Sequence, residues 1–170
     1  MLAIGSDETL LLDLLNTTPV VDGMAQDDIA DAAAGERWLA AHAQPATDDE
    51  WHALLDVRAA LQDIVRGAGE PASLAPFTDG VSYRASMNAD GVGWALDLPA
   101  GRSAAARAVL AWDSLRVSAP GRLRPCANEE CQLFLIDHSR PNSARWCSMA
   151  VCGNRMKARR HYQRARHNAN

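Results

Sequence analysis

The stretch that decides the fold is Cys126-Ala127-Asn128-Glu129-Glu130-Cys131, followed after fifteen residues by Cys147-Ser148-Met149-Ala150-Val151-Cys152. Each segment holds two cysteines separated by four residues, and the chain has four cysteines in all. Two thiolates on one tight turn can grip an ion, and two such pairs complete the tetrahedral shell that zinc prefers. Cys126, Cys131, Cys147 and Cys152 are therefore read as the ligands of one Zn2+. A shell of four thiolates is closed, which suits a structural ion and not a catalytic one. Two disulfides, or a redox switch on the same thiols, are the competing readings. His138 and His161 lie nearby but are not needed as ligands.

Working outward, Gln132-Leu133-Phe134-Leu135-Ile136 reads as a strand, residues 137–143 as a turn, and Ala144-Arg145-Trp146 as a returning strand. Ser148 then caps a helix running to about Arg166. Knuckle, hairpin and helix in that order make a treble-clef-like finger, whose helix amides favour the thiolates of Cys147 and Cys152. Past Cys152, residues 153–167 carry six Lys/Arg and no acid. At about 100° per residue, Arg155, Arg159, Tyr162 and Arg166 form one stripe, and Lys157, Arg160 and Arg164 a second. Phosphate is the natural partner for such a helix, and arginine also reads base edges in the major groove. Arg145, Arg155, Lys157, Arg159, Arg160, Arg164 and Arg166 are thus the candidate nucleic-acid contacts, with Tyr162 read as packing. A solubilising face, a clasp on the chain's own acidic body, an acidic protein partner and RNA are the alternatives.

Charge divides the chain in the same place. Residues 1–120 hold seven Lys/Arg against eighteen Asp/Glu, a balance of -11, and residues 121–170 hold ten against three, a balance of +7. Ala119-Pro120-Gly121 is the expected linker, dividing the chain into a domain at 1–120 and a finger at 121–170. The longest apolar run, Leu10–Leu15, is far too short to span a bilayer, so no membrane partner is expected. No basic segment precedes an apolar one at the N-terminus, which points to the cytoplasm. No nucleotide loop, nucleophile elbow or zinc-protease motif occurs, and no enzymatic activity is expected.

The fold class expected is α+β, with a mostly helical N-terminal domain. Leu-rich residues 9–17 lack β-branched residues between their bounding threonines and read as a buried helix. Residues 27–43 read as a second helix, and 48–66, with Thr47 or Asp48 as cap, as the clearest. Alternation at Val81, Tyr83, Ala85 and at Val92, Trp94, Leu96 flanks a turn at Asn88–Gly91, a β-hairpin. Residues 102–117 return to helix. Asp13, Asn16, Thr17 and Arg58 are polar groups in apolar company. They are read as a fold-fixing network, or as a pocket in which Arg58 holds the anion of a small-molecule effector.

Leu123-Arg124-Pro125-Cys126, Phe134–Arg140, Arg145–Met149 and Cys152-Gly153-Asn154-Arg155 resemble the CGNR zinc-finger family. Leu12-Asp13-Leu14-Leu15-Asn16-Thr17 and the Val57-Arg58 pair resemble the ABATE domain that usually precedes this finger. The resemblance implies a bacterial-type, stress-related transcription regulator that binds zinc through the four cysteines and contacts DNA. It also implies that Gly153 permits close approach, that Asn154 bonds near the sulfurs, and that Arg155 points to phosphate. A finger this small binds DNA weakly alone, so a homodimer is expected.

Overall fold

A computed structural model describes residues 4–167, and the side chains of residues 7–164. The Leu-rich run forms α1 (Ile4–Leu15), one turn longer at its start than the leucines alone indicate. Leu10, Leu11, Leu14 and Leu15 of α1 are all buried. They pack with Leu54, Val57 and Leu61 of α3 (Asp48–Arg66) and with Ala105, Ala108 and Trp112 of α5 (Ser103–Ser118). Thr47 caps α3 by accepting the Glu50 N–H at 3.3 Å. Glu50, itself buried, caps α5 in turn. Its carboxylate accepts Ser103 N–H and Ala104 N–H at 2.8 and 3.0 Å, so the orphan amides of one helix are satisfied from another.

The helix expected over 27–43 is shorter. It is α2 (Ala32–Ala41), capped by Asp31, which accepts the Ala34 N–H at 2.8 Å. The physical reason is that Asp27 accepts the N–H of Ile29 at 3.1 Å, folding residues 27–29 into a local turn that competes with helix. Before it, β1 (Val20–Val21) and β2 (Met24–Ala25) pair across an Asp22-Gly23 turn with both residues left-handed. A short helical stretch follows α3, ending in α4 (Ala75–Thr78). The expected hairpin is β3 (Ser82–Asn88) and β4 (Gly91–Asp97), antiparallel with Ala85 opposite Trp94.

The C-terminal sheet is β5 (Leu123–Pro125) paired antiparallel with β6 (Phe134–Ile136). Ala144–Trp146 is therefore not a strand, which corrects the expected hairpin. The first cysteine pair lies within the loop joining β5 to β6, and Cys126 N–H extends the ladder to Leu133 O at 2.8 Å. Residues 144–146 instead lie alongside that loop, held by Ala127 N–H to Arg145 O at 2.8 Å. A wide π-helical turn, Met149–Gly153, opens α6 (Asn154–His167). No helix among the described residues is long and apolar enough to cross a membrane.

The sheet is joined to the helical body. Phe134 is 1% exposed and belongs to the same core as α1, α3 and α5. Asn16 receives the backbone of Phe134 like a neighbouring strand, accepting its N–H at 2.7 Å and donating to its carbonyl at 3.2 Å. Arg66 lies over the Phe134 ring at 4.6 Å and donates to Gln132 O.

Candidate metal centre and nucleic-acid interface

Four sulfurs converge at the end of the β5–β6 loop. The Sγ atoms of Cys126, Cys131, Cys147 and Cys152 all lie within 4.8 Å of one another. Cys131 to Cys147 and Cys147 to Cys152 are each 3.7 Å. Zinc–sulfur bonds of about 2.3 Å in a tetrahedron put sulfurs about 3.8 Å apart, so this cage has the dimensions of a four-thiolate zinc site. A disulfide requires sulfurs about 2.05 Å apart, and all four cysteines are free. His138 is outside the cage, with its Nε2 3.8 Å from Glu8.

Local sequence builds the cage from both sides. The Asn128 side chain is fully buried, and its Nδ2 donates to Cys152 Sγ at 3.6 Å. Ser148 opens the π turn by accepting Val151 N–H at 3.3 Å, which places Cys152 at the helix start. Gly153 is buried, and a Cβ there would come within 2.9 Å of the Met149 thioether, the end of a flexible, exposed side chain that can move aside. Asn154 donates to Ala150 O at 3.2 Å, a local bond within the turn, whereas the donor to sulfur is Asn128.

Bare thiolates are a poor occupant of this space. Burial pushes the Cys131 thiol up to about 11 and that of Cys147 higher still, with the sulfurs around Cys147 adding to its rise. Burial also opposes ionisation of Cys152, but hydrogen bonds from Asn128 and the other thiols carry it below the ordinary value. Four thiolates in one cage need a cation to coexist, and a divalent ion supplies that charge.

A second knot positions the segment leading to Cys147. Asp137 is buried and accepts Ser139 N–H at 2.8 Å and Ala144 N–H at 2.7 Å, with Arg124 donating at 2.7 Å. Bonding to Ser139 and Ala144, reinforced by the Arg124 charge, holds its carboxyl down to about 2.

Residues 122–165 match the CGNR zinc finger. No curated protein matches the chain. The four-cysteine cluster lies wholly within the CGNR finger, and with it the site is that of a bound Zn2+. The ABATE-like markers of the N-terminal body have no counterpart in these matches, and the fold there is helical with small two-stranded sheets.

The finger presents the expected cations unevenly. Lys157, Arg160 and Arg164 are exposed, and none makes an ion pair among the described residues. Arg145 is exposed with its guanidinium 5.4 Å from the Trp146 ring. Arg159 is taken by the finger's own carboxylate, pairing with Glu130. That contact holds Glu130 below its ordinary value, with Arg155 adding a smaller push through space. Tyr162 is 71% exposed and meets His161 edge-on, so it is not the packing residue expected. The Arg166 side chain lies outside the described residues.

The N-terminal polar residues divide differently from the sequence reading. Arg58, 8% exposed, grips Asp27 with two bonds of 2.7 Å and donates to Thr17 Oγ1 at 2.8 Å. Asp27 is the missed carboxylate, and the Arg58 bond holds it below its usual value against the cost of burial. The guanidinium face that an effector anion would occupy is thus taken by Asp27 and Thr17. Asp13 is not in this network; it pairs with His42 at 3.1 Å. Asn16 is not either, because its amide is spent on Phe134.

Proposed function

We propose that the chain is a zinc-dependent DNA-binding protein, a transcription regulator whose finger and α6 contact the duplex. The observation that carries this reading is the exposed Lys157–Arg160–Arg164 stripe, unpaired among the described residues. Cations at i, i+3 and i+7 lie on one face of the helix and repel one another. An anionic partner relieves that repulsion and releases counterions as it does so. Helix α6 has fourteen residues, about 21 Å, a length suited to lying in the major groove. Exposed Arg155 and Tyr162 belong to the other stripe of α6, on the opposite side of the helix from Lys157, Arg160 and Arg164.

The zinc ion does no bond chemistry in this scheme. It neutralises the thiolates, and the cage fixes the turn from which α6 starts. Asn128, Ser148 and Asp137 orient the ligands around it. The helical body, which resembles an ABATE domain, would sense a ligand or mediate assembly. The Glu130–Arg159 pair favours one alternative, because it shows the helix accepting a carboxylate. On that reading α6 docks on an acidic protein surface.

The test is fluorescence anisotropy of labelled duplex with the zinc-loaded full chain, competed by unlabelled duplex, by RNA and by heparin. Duplex-selective binding that disappears on chelation supports the proposal. Equal competition by every polyanion would leave a nonspecific basic surface and defeat the regulator reading.

A further inference from the structure

The β3–β4 hairpin has one polar and one apolar face. Tyr83 is opposite Leu96, Ala85 opposite Trp94, and Met87 opposite Val92. In an antiparallel ribbon these three cross-strand pairs share a side. The side is unusually bare: Met87 is 78% exposed, Trp94 68%, Val92 56% and Tyr83 49%. The opposite side carries Ser82, Arg84, Ser86 and Asn88, and there Arg84 pairs with Asp97 at 2.9 Å. A two-stranded ribbon is marginally stable alone in water and needs a further layer on its apolar face. The helical body supplies one only at the base, where Tyr83 and Leu96 face Leu110 and Ser114 across a hollow of about 280 Å³; Asp7 and Asp113, paired with Arg107 and Arg116, also line it.

We propose that this face is a homodimer interface, packed across a two-fold axis against the same face of a second copy of the chain. Charge selects the occupant. The face itself carries no charged side chain, the only cation of the ribbon is on the other side, and the body behind it has a balance of -11. Nucleic acid and anionic membranes find no attraction there. A neutral, apolar patch is where two such acidic bodies approach with least repulsion.

Size agrees. Aromatic side chains bury about 150–250 Å² each. At the exposures given, the four large residues leave on the order of 500 Å² per copy, or about 1,000 Å² for two, the lower bound of a specific interface. Trp94 and the hollow beside Tyr83 and Leu96 lie on one face, so each copy offers both an exposed anchor and a recess. An isologous contact requires that combination. The dimer rests on the hairpin and stands whether or not α6 binds DNA.

The experiment is sedimentation equilibrium of the zinc-loaded full chain at tens of micromolar. Wild type is expected at twice the chain mass. Trp94→Ser and Met87→Ser raise the dissociation constant roughly a hundredfold or more, because each change removes two equivalent anchors. Both residues are exposed in one copy, so circular dichroism and zinc content stay unchanged. Ser86→Glu, on the polar face, leaves the dimer intact. A monomeric wild type overturns the proposal, including one that gains mass only when duplex is added. So does a dimer that survives the Trp94→Ser/Met87→Ser double variant, or one that Ser86→Glu disrupts as fully.

Discussion

Asn16→Ala isolates the joint between the finger and the helical body. Asn16 accepts Phe134 N–H at 2.7 Å and donates to Phe134 O at 3.2 Å, and Phe134 is 1% exposed. Truncation leaves one buried donor and one buried acceptor without partners, each costing about 1–3 kcal/mol. Asn16 is itself only half-buried, so water reaches part of the gap and the lower half of that range applies. The expected loss is about 3 kcal/mol, which for a chain of this length lowers the melting temperature by roughly 10 °C. Asn16→Asp keeps the acceptor, loses the donor and sets a negative charge against the Phe134 carbonyl. It destabilises comparably at neutral pH and recovers in part when the carboxyl is protonated. Thermal unfolding of the zinc-loaded chain reads the first effect, and hydrogen exchange at the Phe134 amide localises it. An unchanged melting temperature with full protection at Phe134 would refute the clamp.

Asp27→Asn strips the charged partner from buried Arg58 and is expected to cost about 2–3 kcal/mol in urea unfolding at neutral pH. Because the folded value of Asp27 is depressed, its contribution is fully present above the ordinary aspartate value and is lost as pH falls below that value through the depressed folded one. The gap between wild type and variant therefore narrows in acid, and a gap that widened would contradict the assignment. Gly35→Ala drives a Cβ into the Trp51 ring, whose indole N–H donates to Ile29 O at 2.9 Å. Overpacking there costs about 1–3 kcal/mol, seen as a lower melting temperature. Glu130→Gln releases Arg159 and should strengthen duplex binding severalfold at low salt; weaker binding would show that the pair organises the interface.

Much of this molecule is written in local pattern. Thr47 before an amphipathic run and Gly67 after it delimit α3 correctly. Four cysteines in equal pairs give the metal cage, because ligand spacing is a short-range property. What escapes is pairing over distance. Asp27 stands thirty-one residues from Arg58, and Asn16 over a hundred from Phe134. Neither separation leaves a periodic trace. The finger hairpin escapes a reading by pattern because Leu123-Arg124-Pro125 is too short and polar to announce a strand, although the cysteine pair after it marks a turn. The Asp22-Gly23 turn does carry a hairpin signal, but its two-residue strands are below the length at which alternation shows. Asn128 and Asp137 act through burial, which composition does not reveal.

The claim that the zinc-anchored helix meets phosphate is tested most directly by the salt dependence of duplex binding. Wild type is compared with Lys157→Ala/Arg160→Ala/Arg164→Ala. Each phosphate left without its cation takes about 0.9 off the slope of log K against log salt, so the triple variant's slope should be shallower by about 2.7. Its zinc content and melting temperature should match wild type, since all three residues are exposed. An unchanged slope in a folded, zinc-loaded variant would place the DNA contact elsewhere and contradict the account.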